Sequence, residues 1–287
     1  MSIINHVTRR GFVRTLTALS GIAAYSSFSR AILAATAKGG TSAEDHMGKY
    51  QSLLKPGNEM ILILIYPGFT ALDAIGPQYM LGCMAGSQVK FVAKTKSPVR
   101  CDSGFEVVPQ LSFGEIPEKP TLFIVPGGTY GTLQAIEDAE TLNFVRRAGA
   151  ASEMAGSVCT GSLILGAAGL LKGYQATSHW QTLQLLPLFG ATPSSKRVVF
   201  DRDRVTGAGV TAGLDLGLEL VRRYRGDLYT KSVELLSQYD PDPPFKAAGN
   251  PKEADQELVA MFENMHRSFV DSAASTIKKA YSPPTNQ

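Results

Sequence analysis

"MILILIYPGFTALDAIGP", residues Met60 to Pro77, opens with an unbroken apolar run and then passes into turn formers. An apolar run of strand length without polar alternation marks a strand covered on both faces, as in a parallel sheet flanked by helices. The same texture returns at "VKFVAKT" (Val89–Thr95), "TLFIVPGG" (Thr121–Gly128) and "EMAGSVC" (Glu153–Cys159), with helix-like stretches between some of them. That alternation predicts an α/β fold, a three-layer sandwich around a mainly parallel central sheet. A hairpin is expected at "RVVFDRDRVTG", turning at "DRD", with helices after it at "AGLDLGLELVRRY" and "DLYTKSVELLSQY".

On the C-terminal side, "DPDPPFKAAGNP" after Tyr239 holds too much proline for regular structure, because proline lacks a backbone donor and clashes in helices. Beyond it Leu258, Met261, Phe262, Met265 and Phe269 recur at helical spacing. They predict an amphipathic helix packed on the domain or on a second subunit. On the N-terminal side, residues 38–58 are Gly- and Lys-rich without a sustained apolar period and read as a linker. The expected organisation is therefore a leader at 1–37, the linker at 38–58, a domain at 59–245 and an extension at 246–287.

The leader carries Arg9 and Arg10 followed by Phe12, a modest apolar core from Leu16 to Tyr25, and small residues at Ala35 and Ala37. This resembles a twin-arginine export signal, which implies a periplasmic or otherwise exported protein. An acid-poor organellar transit peptide and a plain tail on a cytoplasmic protein are the rival readings. No apolar stretch reaches about 18 residues, so no permanent membrane span is expected.

The formal charge of +3 is local to this segment. A cut after Ala37 takes four of the 28 Lys and Arg residues, Arg9, Arg10, Arg14 and Arg30, and leaves 24 against 25 Asp and Glu. A mature charge near zero gives nucleic-acid binding no electrostatic support. Three cysteines, Cys83, Cys101 and Cys159, without CxxC spacing, argue against a disulfide framework or a zinc site.

The chemistry gathers at the ends of the expected strands, where open parallel sheets collect ligands. In "GSVCTGSLILGAAGLLKGYQATSHW" (Gly156–Trp180), Cys159 stands among small residues at a strand-to-helix junction. Such an elbow exposes its central residue, and the start of the expected helix "TGSLILGAAGLL" favours thiolate over thiol. A small buried cysteine is the competing reading. Asp73 follows the first strand, where it is either a proton carrier or a cap for a helix begun by Pro77. Gly127 and Gly128 supply closely approachable backbone amides beyond another strand, or merely a turn. His179 is a possible pocket residue, although a hydrogen-bonded structural place beside Trp180 is the stronger expectation, and Asp215 reads as structural.

"IYPGFTALDAIGP", "FIVPGG", the Cys159 stretch, "VTAGLDLGLELV" and "YDPDPPF" occur in the order seen in the ThiJ/PfpI superfamily, with its class I glutamine-amidotransferase-like sandwich. The chain resembles the isonitrile hydratase branch most, from about Met60 to Phe245. The resemblance implies a flavodoxin-like domain, a homodimer, Cys159 as nucleophile, Asp73 as acid/base and Thr160 as its supporting neighbour. Protease-like and glyoxalase-like relatives often have His after the cysteine and Glu after the first strand, where this chain has Thr160 and Asp73. The implied reaction adds water to a small isonitrile and gives an N-substituted formamide through a Cys159 thioimidate, with no metal or organic cofactor. The alternative is a non-catalytic small-molecule sensor, or a redox or stress-protective protein using Cys159. Regulators of this superfamily carry a helix-turn-helix module, for which the 42 residues after Phe245 are short.

Overall fold

The computed structural model describes residue 53 and residues 56–280. The expected leader and most of the linker lie outside the described residues. The chain divides into Met1–Lys55 and Pro56–Gln287, and the second unit carries the sheets and helices of the domain.

Among the described residues eleven strands form in chain order: β1 (Met60–Leu64), β2 (Gln88–Ala93), β3 (Val99–Arg100), β4 (Glu106–Val107), β5 (Leu111–Ser112), β6 (Leu122–Val125), β7 (Met154–Val158), β8 (Gln175–Ala176), β9 (Thr192–Pro193), β10 (Val198–Asp201) and β11 (Arg204–Gly207). Seven of them make one sheet in the order β10-β11-β7-β6-β1-β2-β5. Every pairing in it is parallel except the β10–β11 hairpin at one edge. That hairpin turns at Arg202, whose φ of 53° is left-handed, so the expected "DRD" turn is present.

The apolar runs explain the sheet's centre. Ile61 to Leu64 of β1 and all of β6 have no exposed surface, as expected of strands with helices on both faces. Helices α1 (Ala71–Gly82), α2 (Tyr130–Glu137), α3 (Ala139–Ala151), α4 (Gly161–Ala167), α5 (Ala212–Arg225), α6 (Asp227–Ser237) and α7 (Gln256–Ala280) follow in chain order. α1 and α5 pack together with α6 behind α5, and α2, α3 and α4 pack together as the second layer. The result is the flavodoxin-like α/β sandwich. A half-buried pair between Arg225 and the buried Glu59 ties the end of α5 to the residue before β1.

Two local expectations are corrected. Pro77 does not begin a helix; α1 starts at Ala71 and contains Pro77. Its ring leaves the carbonyl of Asp73, four residues back, without the usual helical donor. The helix after Cys159 is also shorter than the apolar sequence suggests, ending at Ala167 because Gly169 turns left-handed at φ 81°.

α7 is the amphipathic helix expected from the spacing, and its two halves differ. Phe269, Ala273, Thr276 and Ile277 are buried. Leu258, Met261, Phe262 and Met265 are exposed. The second half is the anchor: Phe269 meets the Tyr130 ring edge-on at 5.4 Å, and Thr276 donates to Glu137 at 2.9 Å. The first half reaches out over the carboxyl ends of the strands.

Candidate active site

From β1 the chain moves outward to β2, then crosses back to place β6 on the other side of β1, with β7 beyond it. Ligands gather at such a switch point, outside the carboxyl ends of the strands. The loop after β1 leads to Asp73, the loop after β6 holds Gly127 and Gly128, and β7 ends at Cys159 and Thr160. The structure therefore brings five of the sequence's candidates together.

Asp73 has no exposed surface. Its Oδ2 accepts from the Gly127 amide at 2.9 Å, while its buried Oδ1 has no such partner. The Gly128 amide donates to Thr160 Oγ1 at 3.1 Å. Thr160 Oγ1 also lies 2.8 Å from Thr132 Oγ1, which is 3.4 Å from the Tyr66 hydroxyl, and Tyr66 donates to the Pro126 carbonyl at 2.8 Å. Both glycine amides are thus engaged by side chains of the site, whereas the sequence suggested donors open to a developing charge. Glycine is needed at 127 for a packing reason. A Cβ there would stand 2.6 Å from Thr160 Oγ1 and 2.8 Å from Asp73 Oδ2.

Cys159 occupies the left-handed region at φ 58°, which costs a non-glycine residue about 1–2 kcal/mol. Its backbone is held on both sides. The amide donates to the carbonyls of Gly207 at 3.1 Å and Ala208 at 2.8 Å. The carbonyl accepts from Ser162 at 3.1 Å and Ser178 at 3.3 Å. Gly161 completes the elbow, since a Cβ there would lie 2.1 Å from the Val125 carbonyl oxygen.

The thiol is not a resting thiolate, which corrects the sequence expectation. Burial and then the neighbouring Asp73 carboxyl push the Cys159 thiol well above its ordinary value, against opposing help from Thr160. Burial likewise raises Asp73 from 3.8 to about 7, with the Gly127 amide and Cys159 pulling the other way. In this low-dielectric pocket the thiol keeps its proton near neutrality, and the carboxyl beside it is only partly ionised. Cys101 is the cysteine whose pKa falls: burial opposes the shift, but the Ser103 hydroxyl and nearby backbone donors outweigh it. Burial pushes Cys83 up to about 11. All three thiols are free, so Cys83 and Cys101 are not bridged.

Above the elbow lies a cavity of about 390 Å³, which Cys159 and Thr160 line together with His179, Trp180, Phe262 and His266. His179 belongs to the pocket, where the sequence favoured a hydrogen-bonded structural place. Its ring stands 5.8 Å from that of Trp180, and among the described residues it makes no side-chain hydrogen bond. Burial first, and His266 second, lower its pKa to about 4, so the imidazole is neutral at physiological pH.

His266 is the functional candidate that sequence reasoning missed, because it stands in the C-terminal extension. The signal was present: Phe262, His266 and Phe269 share one face of α7 at helical spacing, and all three line the cavity. Asp102, which caps the Ala71 amide at 3.1 Å, also reaches the cavity and has no motif to announce it. Asp215 is structural as expected, pairing with Arg197 and accepting from Tyr239 at 2.5 Å.

Known proteins resemble this chain in sequence and fold. The DJ-1/PfpI family profile matches residues 59–223. An isonitrile hydratase of Pseudomonas putida is 40% identical over 196 residues, 68% of this chain and 85% of that protein. The HTH-type transcriptional regulator GbdR of Pseudomonas aeruginosa (strain UCBPP-PA14) is 27% identical over 190 residues. The match takes in 63% of this chain and 51% of the regulator, so the chain spans about half the regulator's length. Among solved structures, a THiJ/PfpI family protein from Pseudomonas syringae superposes with a TM-score of 0.76 at 48% identity, covering 77% of this chain and 91% of that one.

Proposed function

This chain belongs to the DJ-1/PfpI family, and on that premise we propose that it hydrates a small isonitrile to an N-substituted formamide. The observation that carries the reading is Cys159 at the floor of a cavity with the buried Asp73 carboxyl, raised to about 7, behind it. The 40% identity to an isonitrile hydratase supports the same chemistry.

The terminal carbon of an isonitrile accepts a nucleophile and then a proton. Asp73 takes the thiol proton as the sulfur–carbon bond forms, then returns it to that carbon, giving Cys159–S–CH=N–R. Water adds across the C=N bond: its oxygen goes to carbon, and its proton passes through Asp73 to nitrogen. The carbon–sulfur bond breaks, the hydroxyl proton returns to the thiol, and the formamide leaves. One water is consumed and Cys159 is regenerated. A carboxyl at about 7 suits this exchange, because acid and base forms are both populated near neutrality. Thr160, fixed by the Gly128 amide and Thr132, steadies the sulfur, and Gly127 aims the carboxyl.

The exposed Leu258, Met261 and Met265 of α7 support a homodimer that covers them. The twin arginines support export before action.

The deciding experiment supplies isonitriles to the full chain and follows the formyl proton by NMR, with Cys159→Ala as control. Formamide from the wild type alone supports the hydratase. Tight isonitrile binding without formamide would replace it with a sensor.

A further inference from the structure

α7 begins beyond residues 59–223, the span that matches the family, yet it supplies the outer wall of the cavity through Phe262, His266 and Phe269. Resting on the hydratase reading, we infer that this helix selects the isonitrile's substituent, and that the favoured substituent is an uncharged aromatic ring.

Three observations converge. The wall is held in place, so it can discriminate: the second half of α7 is buried against the domain, and Gln181 Nε2 secures the overhanging half by donating to the Phe262 carbonyl at 3.0 Å and meeting His266 Nδ1 at 3.2 Å. The wall is aromatic, with Phe262 and Phe269 on α7 and Trp180 from the body lining the same cavity. Flat rings favour an arene over a branched alkyl group by offset or edge contacts. Finally, no Lys or Arg lines the cavity among the described residues, whereas Asp102 does. An anionic substituent would lose hydration without gaining a counter-charge.

The test reads Cys159 directly and does not depend on turnover. Full-length protein is treated with iodoacetamide, N-benzyliodoacetamide or iodoacetate, and labelling of the Cys159 peptide is followed by mass spectrometry. Each rate is divided by that of a free thiol with the same reagent. The benzyl reagent should exceed iodoacetamide, and iodoacetate should fall below it. Phe262→Ala, at an exposed position that folding tolerates, should lower the benzyl-to-iodoacetamide ratio about 2- to 10-fold, the equivalent of one aromatic pair. Phe269→Leu should lower it while keeping apolar bulk.

A ratio that is the same in both variants as in the wild type overturns the inference, as does iodoacetate labelling at the iodoacetamide rate. Formamide production alongside an unchanged ratio would reject the wall and keep the hydratase. A ratio that falls as expected in a protein making no formamide would reject the hydratase and keep the wall.

Discussion

The Gly127 amide donates to Asp73 Oδ2 at 2.9 Å across 54 residues of chain, while Asp73 Oδ1 is buried without a hydrogen bond among the described residues. The other oxygen remains for the proton exchanged with Cys159. The loop after β6 thereby sets the direction in which a group on α1 can act.

Removing the pair's members one at a time should separate their roles. Cys159→Ala is expected to abolish formamide, and Asp73→Asn to slow it about 100- to 10,000-fold while leaving the thiol in place. The double variant should be scarcely slower than Cys159→Ala, because groups acting as a unit are non-additive. Steady-state kinetics on the four proteins measures this, and losses that simply multiplied would contradict a shared mechanism.

Asp73 should also leave a mark on stability. Its folded pKa, about 7, lies above the 3.8 of a free carboxyl, so the folded state binds the proton more tightly. The stabilisation is complete below about pH 4 and is lost as pH rises through about 7, to a limit of about 4 kcal/mol. Asp73→Asn lacks this titration. The wild type's melting temperature should therefore fall relative to the variant's across that window and run level above it. A constant gap would show that Asp73 ionises normally.

Gly127→Ala tests the aim of the carboxyl. The added methyl meets Thr160 Oγ1 at 2.6 Å, the Thr160 backbone nitrogen at 2.7 Å and Asp73 Oδ2 at 2.8 Å, so the elbow and the carboxyl must both give way. The expected cost is about 1–3 kcal/mol of stability, typical of overpacking, with a loss of turnover out of proportion to it. Denaturant melts beside kinetics decide; full activity at reduced stability would make the loop a mere turn.

Arg9→Lys with Arg10→Lys should hold the protein in the cytoplasm with its fold intact, since the export receptor reads the arginine pair as an address and not as charge. Fractionation of the native host reports the outcome. Unchanged export would defeat the twin-arginine reading.

Much of the sheet could be read from the chain, because β1, β6 and β7 are buried on both faces and their apolar runs say so directly. The elbow was partly legible: Gly156, Ser157, Gly161 and Ser162 give the steric room a strand-to-helix turn needs, and the left-handed Cys159 sits between them. The protonation of Cys159 was not. It depends on how completely Asp73, 86 residues earlier, is buried beside it, and burial belongs to the assembled fold. The engagement of the Gly127 and Gly128 amides is equally a tertiary matter. His266 was hidden by its position after a proline-rich stretch, though its helical register with Phe262 and Phe269 was visible.

The overhang of α7 has a consequence for the order in which the protein is made. By residue 255 the chain already contains all seven strands of the main sheet, with Cys159 and Asp73 at their ends. Domains fold as units while synthesis proceeds from the N-terminus. The strands and both members of the Cys159–Asp73 pair are thus translated before the outer wall of the cavity.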